Sequence, residues 1–219
     1  GAMIDTTVTN CGNEGDVTGV NNLGGLCYEL YSGTMTGCYN TGRITATGTY
    51  VGGLMGYAKQ ATITNAYSTG DVTTEKTLMG GLIGVMEKSS LTNAYVSGKV
   101  TTAVASGAIG AAVGSADQVS NVYYLGGASA IGDENATAKT AEELKALAPT
   151  LGSSFKENTG CGGYPLLVWQ EARAHQYENG VCTVCGAKDP AAPYLLDGVT
   201  DAAAEVQTGK SYQLDDLMY

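Results

Sequence analysis

A ten-residue phrase recurs along the first half of the chain at an almost constant interval. ITNAYSTGDV at 63–72 returns as LTNAYVSGKV at 91–100 and, less closely, as MTGCYNTGRI at 35–44. A more divergent copy, VTNCGNEGDV, occupies 8–17, and a partial copy, VSNVYYLGG, begins at 119. Successive copies therefore start about 28 residues apart, and an interval of this length indicates a repeat architecture, in which each repeat stacks on the one before it.

Aligning the copies produces columns of small and medium apolar residues, as the interior of stacked coils requires. Within each copy, short apolar runs break at glycine, which predicts short strands joined by turns. Helices are disfavoured by the abundance of Thr, Gly and Asn. A β-sandwich of short strands is the alternative, but sandwich strands do not recur with fixed columns.

Two further columns predict turns. The glycine column contains Gly15, Gly42, Gly70, Gly98 and Gly126, and the asparagine column contains Asn10, Asn65, Asn93 and Asn121, with Gly37 in the missing place. Asn and Gly share a tolerance for the left-handed conformation, so their exchange supports a turn there. The recurring glycine implies either a positive φ or no room for a side chain.

Polar and aromatic residues form two more columns. The charged column reads Asp16, Arg43, Asp71 and Lys99, and alternation of sign predicts ion pairing between neighbouring coils. The tyrosine column contains Tyr39, Tyr67, Tyr95 and Tyr123. Rings about 4.8 Å apart can stack offset and stabilise the coils, and if exposed they could form a platform for sugar rings.

The second half of each repeat carries a glycine-rich phrase, LGGLCY at 23–28, VGGLMGY at 51–57 and MGGLIGV at 79–85. GLMG and GLIG, each followed by a unit like ITNAYSTGDV, resemble the GLUG repeat of large secreted and cell-wall proteins of bacteria, including adhesins and non-catalytic regions of IgA-specific metallopeptidases. The resemblance covers about residues 4–127. It implies a right-handed parallel β-helix with coils of about 28 residues. It brings no catalytic residues with it.

Composition narrows the classes of partner. A net charge of −10 disfavours nucleic acid, whose binding depends on Lys and Arg. No apolar run reaches the length of a membrane span, so membrane insertion is not expected. In the coils, carboxylates are dispersed and histidine is absent, so neither a glycosidase pair nor a Ser-His-Asp set is expected, and the chain is predicted not to be an enzyme.

The repeat ends near residue 131, where composition changes. Thr140 and Glu143 form a capping box, Leu144, Leu147 and Leu151 follow at helical spacing, and Pro149 is predicted to end the helix. Phe155 and Trp169, in bulky segments that the coils lack, are predicted to form a lid over the open edge of the last coil. Sugar stacking is the alternative role for Trp169. This helix followed by YPLLVW resembles the C-terminal closure of GLUG-type proteins.

Six cysteines are present. Cys11 and Cys38 share an interior column and are predicted to be reduced and buried, with Cys27 the better partner if a disulfide forms. Cys182 and Cys185 follow an Asn-Gly turn in HQYENGVCTVCG, a segment that resembles a short motif of surface proteins from anaerobic Gram-positive bacteria. With His175 and Cys161 they could hold a structural zinc ion, and a disulfide or free pair is the alternative. No other cofactor is expected.

The predicted organisation is all-β, with a solenoid over 4–131, a helix-plus-strand cap over 132–170, a CxxC hairpin over 171–190 and a truncated immunoglobulin-like or linker segment over 191–219. The predicted function is a non-catalytic, secreted or cell-wall-attached segment of a larger surface protein, a stalk or adhesive surface. Its partners would be other domains of the same polypeptide, and a host glycan or surface protein. A monomer is expected. The alternative is a carbohydrate-binding module of a secreted glycosidase or peptidase.

Overall fold

The computed structural model describes residues 1–104, 109–110, 112–115, 118–129 and 131–190. Within these ranges the chain contains 24 short strands and two short helices, so the predicted all-β class is confirmed. The chain divides into two compact units: the first comprises 1–157 and 164–171, and the second comprises 158–163 and the residues from 172 onward. Cys161 thus lies in the second unit and not in the predicted cap. The segment predicted over 191–219 lies outside the described residues.

The coils of the first unit build four sheets in which all strands pair in parallel. The 5-stranded sheet contains β1 (Ala2–Ile4), β6 (Cys27–Tyr31), β10 (Met55–Lys59), β14 (Ile83–Glu87) and β18 (Val113–Ser115). The 7-stranded sheet, here called the tyrosine sheet, contains β2 (Thr7–Thr9), β3 (Gly12–Asn13), β7 (Thr34–Asn40), β11 (Thr62–Ser68), β15 (Ser90–Val96), β19 (Gln118–Leu125) and β20 (Thr137–Lys139).

Two 4-stranded sheets complete each coil. The first contains β4 (Val17–Gly19), β8 (Ile44–Ala46), β12 (Val72–Thr74) and β16 (Val100–Thr102). The second contains β5 (Leu23–Gly24), β9 (Val51–Gly52), β13 (Met79–Gly80) and β17 (Ile109–Gly110). The chain visits the four sheets in the same order in every coil, which is a parallel β-helix.

The register of the strands follows the sequence repeat. Tyr67 pairs with Tyr39 in the coil before it and with Tyr95 in the coil after it, so one coil corresponds to one copy of the repeat. The predicted coil length of about 28 residues is therefore confirmed. The step is longer between β13 and β17, because Met79 pairs with Val51 on one side and with Ile109 on the other. This is the place where the glycine-rich phrase departs from its consensus.

The interior columns are buried as predicted. Met35, Ile63 and Leu91 stand at equivalent positions of three successive coils and have no exposed surface. Because each coil places the same size of side chain above the last, the interior fills without large aromatic residues.

The asparagine column forms a ladder of side-chain hydrogen bonds. Asn65, Asn93 and Asn121 have φ of 54°, 55° and 54°. The Asn121 amide donates to Asn93 Oδ1 at 2.7 Å, and the Asn93 amide donates to Asn65 Oδ1 at 3.2 Å. Gly37 takes the same conformation with φ of 66°. The prediction of a left-handed turn at this column is confirmed.

The glycine column is explained by space rather than by a positive φ. A Cβ on Gly70 would lie 1.9 Å from the carbonyl oxygen of Gly42, and a Cβ on Gly98 would lie 2.1 Å from that of Gly70. The backbones of successive coils touch here, so any side chain would force the coils apart.

The charged column is aligned along one edge, but its carboxylates are used differently from the prediction. Asp16 Oδ1 accepts a hydrogen bond from the backbone amide of Arg43 at 2.8 Å, and Asp71 Oδ1 accepts one from that of Lys99 at 2.8 Å. The predicted ladder of ion pairs is therefore wrong. A carboxylate gains more from a fixed amide in the next coil than from a long, exposed side chain.

The cysteines of the coils separate into two environments. Cys27 and Cys38 are buried, and desolvation raises the pKa of each thiol to about 11. Cys11 is exposed, so the prediction that it is buried is wrong. Cys38, at the equivalent position one repeat later, has no exposed surface.

At the last coil, a carboxylate accepts the hydrogen bonds that a backbone carbonyl group accepts in the earlier coils. In earlier coils, one carbonyl accepts from two successive amides, as Leu82 O does from Leu54 and Met55. At the last coil, Asp133 Oδ2 takes this place and accepts from the amides of Ala112 and Val113 at 2.8 and 2.7 Å. The chain thus satisfies an open strand edge with one carboxylate.

We expect Asp133→Ala to lower the free energy of unfolding of the first unit by about 2–3 kcal/mol, because two amides would lose a charged acceptor. Chemical denaturation followed by circular dichroism measures the change. Glu134→Ala is the control, since Glu134 is exposed beside it. Equal unfolding free energies for the two variants would contradict this role of Asp133.

The segment after the coils begins with a short helix. In α1 (Ala141–Lys145), Thr140 Oγ1 accepts from the Glu143 amide at 3.2 Å, and Glu143 Oε2 accepts from the Thr140 amide at 2.8 Å. The predicted capping box is confirmed. Pro149 does not end this helix; it lies in the first turn of α2 (Ala148–Leu151), where its missing amide is not needed. An antiparallel pair follows, β21 (Phe155–Lys156) and β22 (Leu166–Leu167).

Candidate metal centre

The tyrosine column, whose exposure the alternative role as a sugar platform requires, lies inside an apolar cluster. Tyr39 and Tyr67 stack with ring centroids 5.3 Å apart, and Tyr67 and Tyr95 with centroids 5.0 Å apart and an interplanar angle of 5°. Tyr39, Tyr67 and Tyr95 are 9%, 2% and 0% exposed, and Tyr123 is half-buried. The stacking is confirmed. The alternative role as a carbohydrate platform is contradicted, because three of the four rings are buried.

Residues 141–157 and 164–171, here called the flank cover, bury these rings. The side chain amide of Gln170 donates to Tyr67 Oη at 2.8 Å, and Tyr95 Oη donates to the Pro165 carbonyl at 2.5 Å. Its buried apolar side chains are Leu144, Leu147, Ala148, Leu151, Phe155 and Leu167. Phe155 therefore belongs to a lid, as predicted. The lid lies along the tyrosine sheet, not only over the last coil.

Trp169 belongs to the same cover and stays at its edge. Its indole nitrogen donates to the Gly37 carbonyl at 3.0 Å, and its ring lies 5.7 Å from that of Tyr39. The side chain is 40% exposed. It covers the end of the tyrosine column, and sugar stacking by its exposed part stays a prediction.

Other carboxylates of the coils, like Asp16 and Asp71, also serve structural contacts. Glu14 accepts from Tyr39 Oη at 2.9 Å. Glu87 accepts from Tyr57 Oη and lies 3.5 Å from Lys59 Nζ. The hydrogen bond to Glu87 raises the pKa of Tyr57 to about 12 and lowers that of Glu87. These side chains hold neighbouring coils together, and none of them forms a pair of carboxylates.

The second unit brings together the four residues predicted as metal ligands. Their ligand atoms all lie within 4.8 Å of one another in the Cys3His cluster, which comprises Cys161, His175, Cys182 and Cys185. The Sγ atoms of Cys161 and Cys182 are 3.7 Å apart, and Cys185 Sγ is 3.4 Å from His175 Nδ1. The four residues are irregularly spaced in the sequence, but the fold brings their donor atoms close together.

A hairpin positions two of the cysteines. β23 (Tyr177–Glu178) pairs antiparallel with β24 (Val181–Cys182) across Asn179 and Gly180, whose φ values are 51° and 76°. Positive φ at both turn residues is typical of a type I′ turn, which Asn-Gly favours. The predicted Asn-Gly turn is confirmed. The next turn is tight, since the Gly186 amide donates to the Cys182 carbonyl at 2.9 Å.

The remaining ligands come from two other stretches. The Cys161 amide donates to the Arg173 carbonyl at 2.8 Å, which brings the stretch 158–163 beside the one that leads into the hairpin. His175 stacks on Tyr177 with ring centroids 5.3 Å apart. Tyr177 was not among the predicted site residues, although its place two residues after the histidine, on the same face of an extended segment, was a usable signal.

Backbone amides surround the sulphur atoms of the CxxC pair. Although burial of Cys182 opposes ionisation, hydrogen bonds from the amide of Cys185 and the ring of His175 lower its pKa to about 5. The amides of Val184 and Gln176 act in the same direction. Thiolates stabilised in this way are the form in which cysteine binds metals.

Hydrogen bonds within the cluster also shift the pKa values of its other three members. Desolvation, followed by hydrogen bonds to Cys185 and Cys182, raises the pKa of Cys161 to about 12. Donation from Cys161 lowers the pKa of Cys185. The pKa of His175 is raised, first by its hydrogen bond to Cys182. The cluster is therefore one connected set of donors and acceptors.

Comparison with known proteins places these features in context. The family described as the GLUG motif matches residues 47–73. No curated protein matches the chain. A solved structure described as a candidate immunoglobulin A1 protease from Bacteroides ovatus is similar, with a TM-score of 0.61 and 22% identity. The match covers 75% of this chain and 58% of that one.

Residues 47–73 run from β9 through β10 and β11 into β12, which is almost one complete coil. The same phrases recur in the neighbouring coils with their strands in register. The structural neighbour has the same fold at low identity, which supports the architecture and nothing finer. The chain therefore carries the GLUG motif at 47–73, within repeated coils that fold as a parallel β-helix.

Proposed function

We propose that the first unit is a non-catalytic, extracellular segment of a larger bacterial surface protein, in which it serves as a stalk between other domains of the same polypeptide. The observation that carries this proposal is the register. Each coil repeats the residue types of the last at the same place, and the repeated polar groups bond to the next coil. These polar groups therefore stabilise the stacking of coils, which is the property that a stalk requires.

Coil stacking supports a spacing role directly. Each parallel coil adds about 4.8 Å to the solenoid, so its length depends on the number of repeats. Gly, Asn and Tyr columns hold one coil on the next at three places of the circumference. An array of this kind is rigid because each coil is fixed by its neighbours.

The comparisons support the location. The similar structure carries the name of a protease that acts on immunoglobulin A1, an antibody found outside cells. The match covers only 58% of that solved chain, which supports a segment of a larger polypeptide. Among the described residues, neither helix is long and apolar enough to cross a membrane.

The structural contacts of the carboxylates in the coils support a non-catalytic role. Asp16 and Asp71 each accept from a backbone amide of the next coil, and Glu87 is held by a tyrosine and a lysine. A retaining glycosidase requires two carboxyl groups about 5–5.5 Å apart and open to the substrate. The structural use of these groups favours a stalk over a hydrolase.

The purified chain should leave human immunoglobulin A1 intact, give no signal on a glycan array, and resist a non-specific protease throughout the coils. Immunoblotting, array fluorescence and mass mapping of the fragments measure the three results. Cleavage of the antibody would replace the proposal with a peptidase. Reproducible glycan binding would replace it with an adhesive module, and rapid proteolysis within 1–104 would contradict a rigid stalk.

A further inference from the structure

We propose that the Cys3His cluster of the second unit binds one Zn²⁺ ion as a closed structural centre. This proposal is independent of the stalk role of the first unit. Its basis is the position of the four ligand atoms, the chemistry of those atoms, and the scarcity of other stabilising contacts in the described part of this unit.

The distances between ligand atoms fit a tetrahedral zinc ion. With Zn–S of about 2.3 Å and Zn–N of about 2.0–2.1 Å, tetrahedral angles place two sulphurs about 3.8 Å apart and a sulphur and a nitrogen about 3.6 Å apart. The observed separations are 3.7 Å for Cys161 and Cys182 and 3.4 Å for Cys185 and His175. The widest separation in the cluster is no more than 4.8 Å, so a small contraction would complete the tetrahedron.

The donor set selects the metal. Three thiolates and one imidazole are soft or borderline ligands, which exclude Ca²⁺ and Mg²⁺ and favour zinc in a tetrahedral site. Because the protein supplies all four donors, no position is open for water or substrate. Such a site is structural rather than catalytic.

The described part of the second unit has little apolar burial to stabilise it. In its described ranges, 158–163 and 172–190, Cys182 is the only buried residue. The apolar side chains of the hairpin point outward, since Val181 is 44% exposed and Val184 is 58% exposed. A segment with so small a core does not fold on apolar burial alone, and a metal supplies the missing free energy.

The ligands also come from three separate stretches of chain. Cys161 precedes the hairpin, His175 leads into it, and the CxxC pair follows its turn. One ion would therefore close two loops at once, of about 14 and 7 residues, and fix the hairpin against the stretch 158–163. A disulfide between any two cysteines would leave the third cysteine and the histidine without a role.

The test is native mass spectrometry and elemental analysis of the full chain, purified under reducing conditions without chelator and then supplied with Zn²⁺. We expect one zinc ion per chain for the wild type and for Cys11→Ser, whose exposed thiol lies in the first unit. Cys182→Ser and His175→Ala should lose stoichiometric zinc. Replacement by Co²⁺ should give the visible absorption of a tetrahedral thiolate site in the wild type.

Hydrogen exchange separates a local structural role from general damage. Removal of zinc by a chelator should accelerate amide exchange in 175–190 by at least about tenfold and leave the coils of 1–104 unchanged. Absence of zinc from reduced, zinc-treated wild type would overturn the proposal. So would iron in its place, a chain lighter by two hydrogens with a disulfide among these cysteines, or equal zinc loss in Cys11→Ser.

Discussion

Gly70→Ala is expected to lower the free energy of unfolding of the solenoid by about 3 kcal/mol or more. The added Cβ would lie 1.9 Å from the carbonyl oxygen of Gly42 and 2.6 Å from its carbonyl carbon. Both atoms are backbone, so no rotamer change relieves the clash. The coils must separate locally, which strains the packing and weakens backbone hydrogen bonds such as the one from Thr69 to Asn40, now 2.9 Å long. Denaturant unfolding followed by circular dichroism measures the loss.

Gly126→Ala is the matched control, because Gly126 occupies the same column of the repeat. A Cβ there would lie 3.5 Å from its nearest neighbours, Ala138 Cβ and the Lys139 carbonyl, which is an ordinary contact. We expect its unfolding free energy to change by less than about 1 kcal/mol. Similar losses for the two variants would show that the column reflects conformation and not the contact between coils.

Tyr67→Ala should lower the free energy of unfolding by about 4 kcal/mol, the second large effect. Tyr67 is 2% exposed and stacks on one ring at 5.3 Å and another at 5.0 Å. Its removal leaves a cavity in the centre of the column and takes from Gln170 its hydroxyl partner. The unfolding midpoint and the accessibility of 164–171 to protease should change together.

Tyr67→Phe separates the ring from its hydroxyl group. The phenylalanine keeps the stacked contacts with Tyr39 and Tyr95 and loses the hydrogen bond to Gln170, so a loss of about 1–2 kcal/mol is expected. An alanine variant as stable as the phenylalanine variant would mean that the rings contribute little, and that the flank cover holds itself in place.

The structure of the coil could be predicted from sequence because residues one repeat apart are neighbours in the folded chain. When Asn65 and Asn93 recur one period apart in stacked coils, the same position within the repeat is also the same position in space. The left-handed turn, the side-chain ladder and the tyrosine stacking all follow from this equivalence. The four metal ligands were predicted for a different reason: few residue types bind zinc, and this chain has only one histidine.

One error occurred where the outcome depended on residues without repeats. The exposure of the tyrosine column could not be judged from the coils, because the segment that covers Tyr67 lies far along the chain and contacts it through Gln170. The charged column was assigned the wrong partner for a different reason, since donor and acceptor both lie within the repeat. Alternating sign suggests ion pairs, whereas the structure offers Asp71 a fixed amide in the next coil.

The amino-acid sequence by itself determined the period, the parallel stacking of coils and the places of the turns, because each is a local preference repeated in register. Only the tertiary structure decided which columns are covered, how Asp133 ends the last coil, and that three separated stretches bring their sulphur and nitrogen atoms to one point. Those outcomes depend on contacts between segments that share no pattern, and a linear pattern carries no information about such distances.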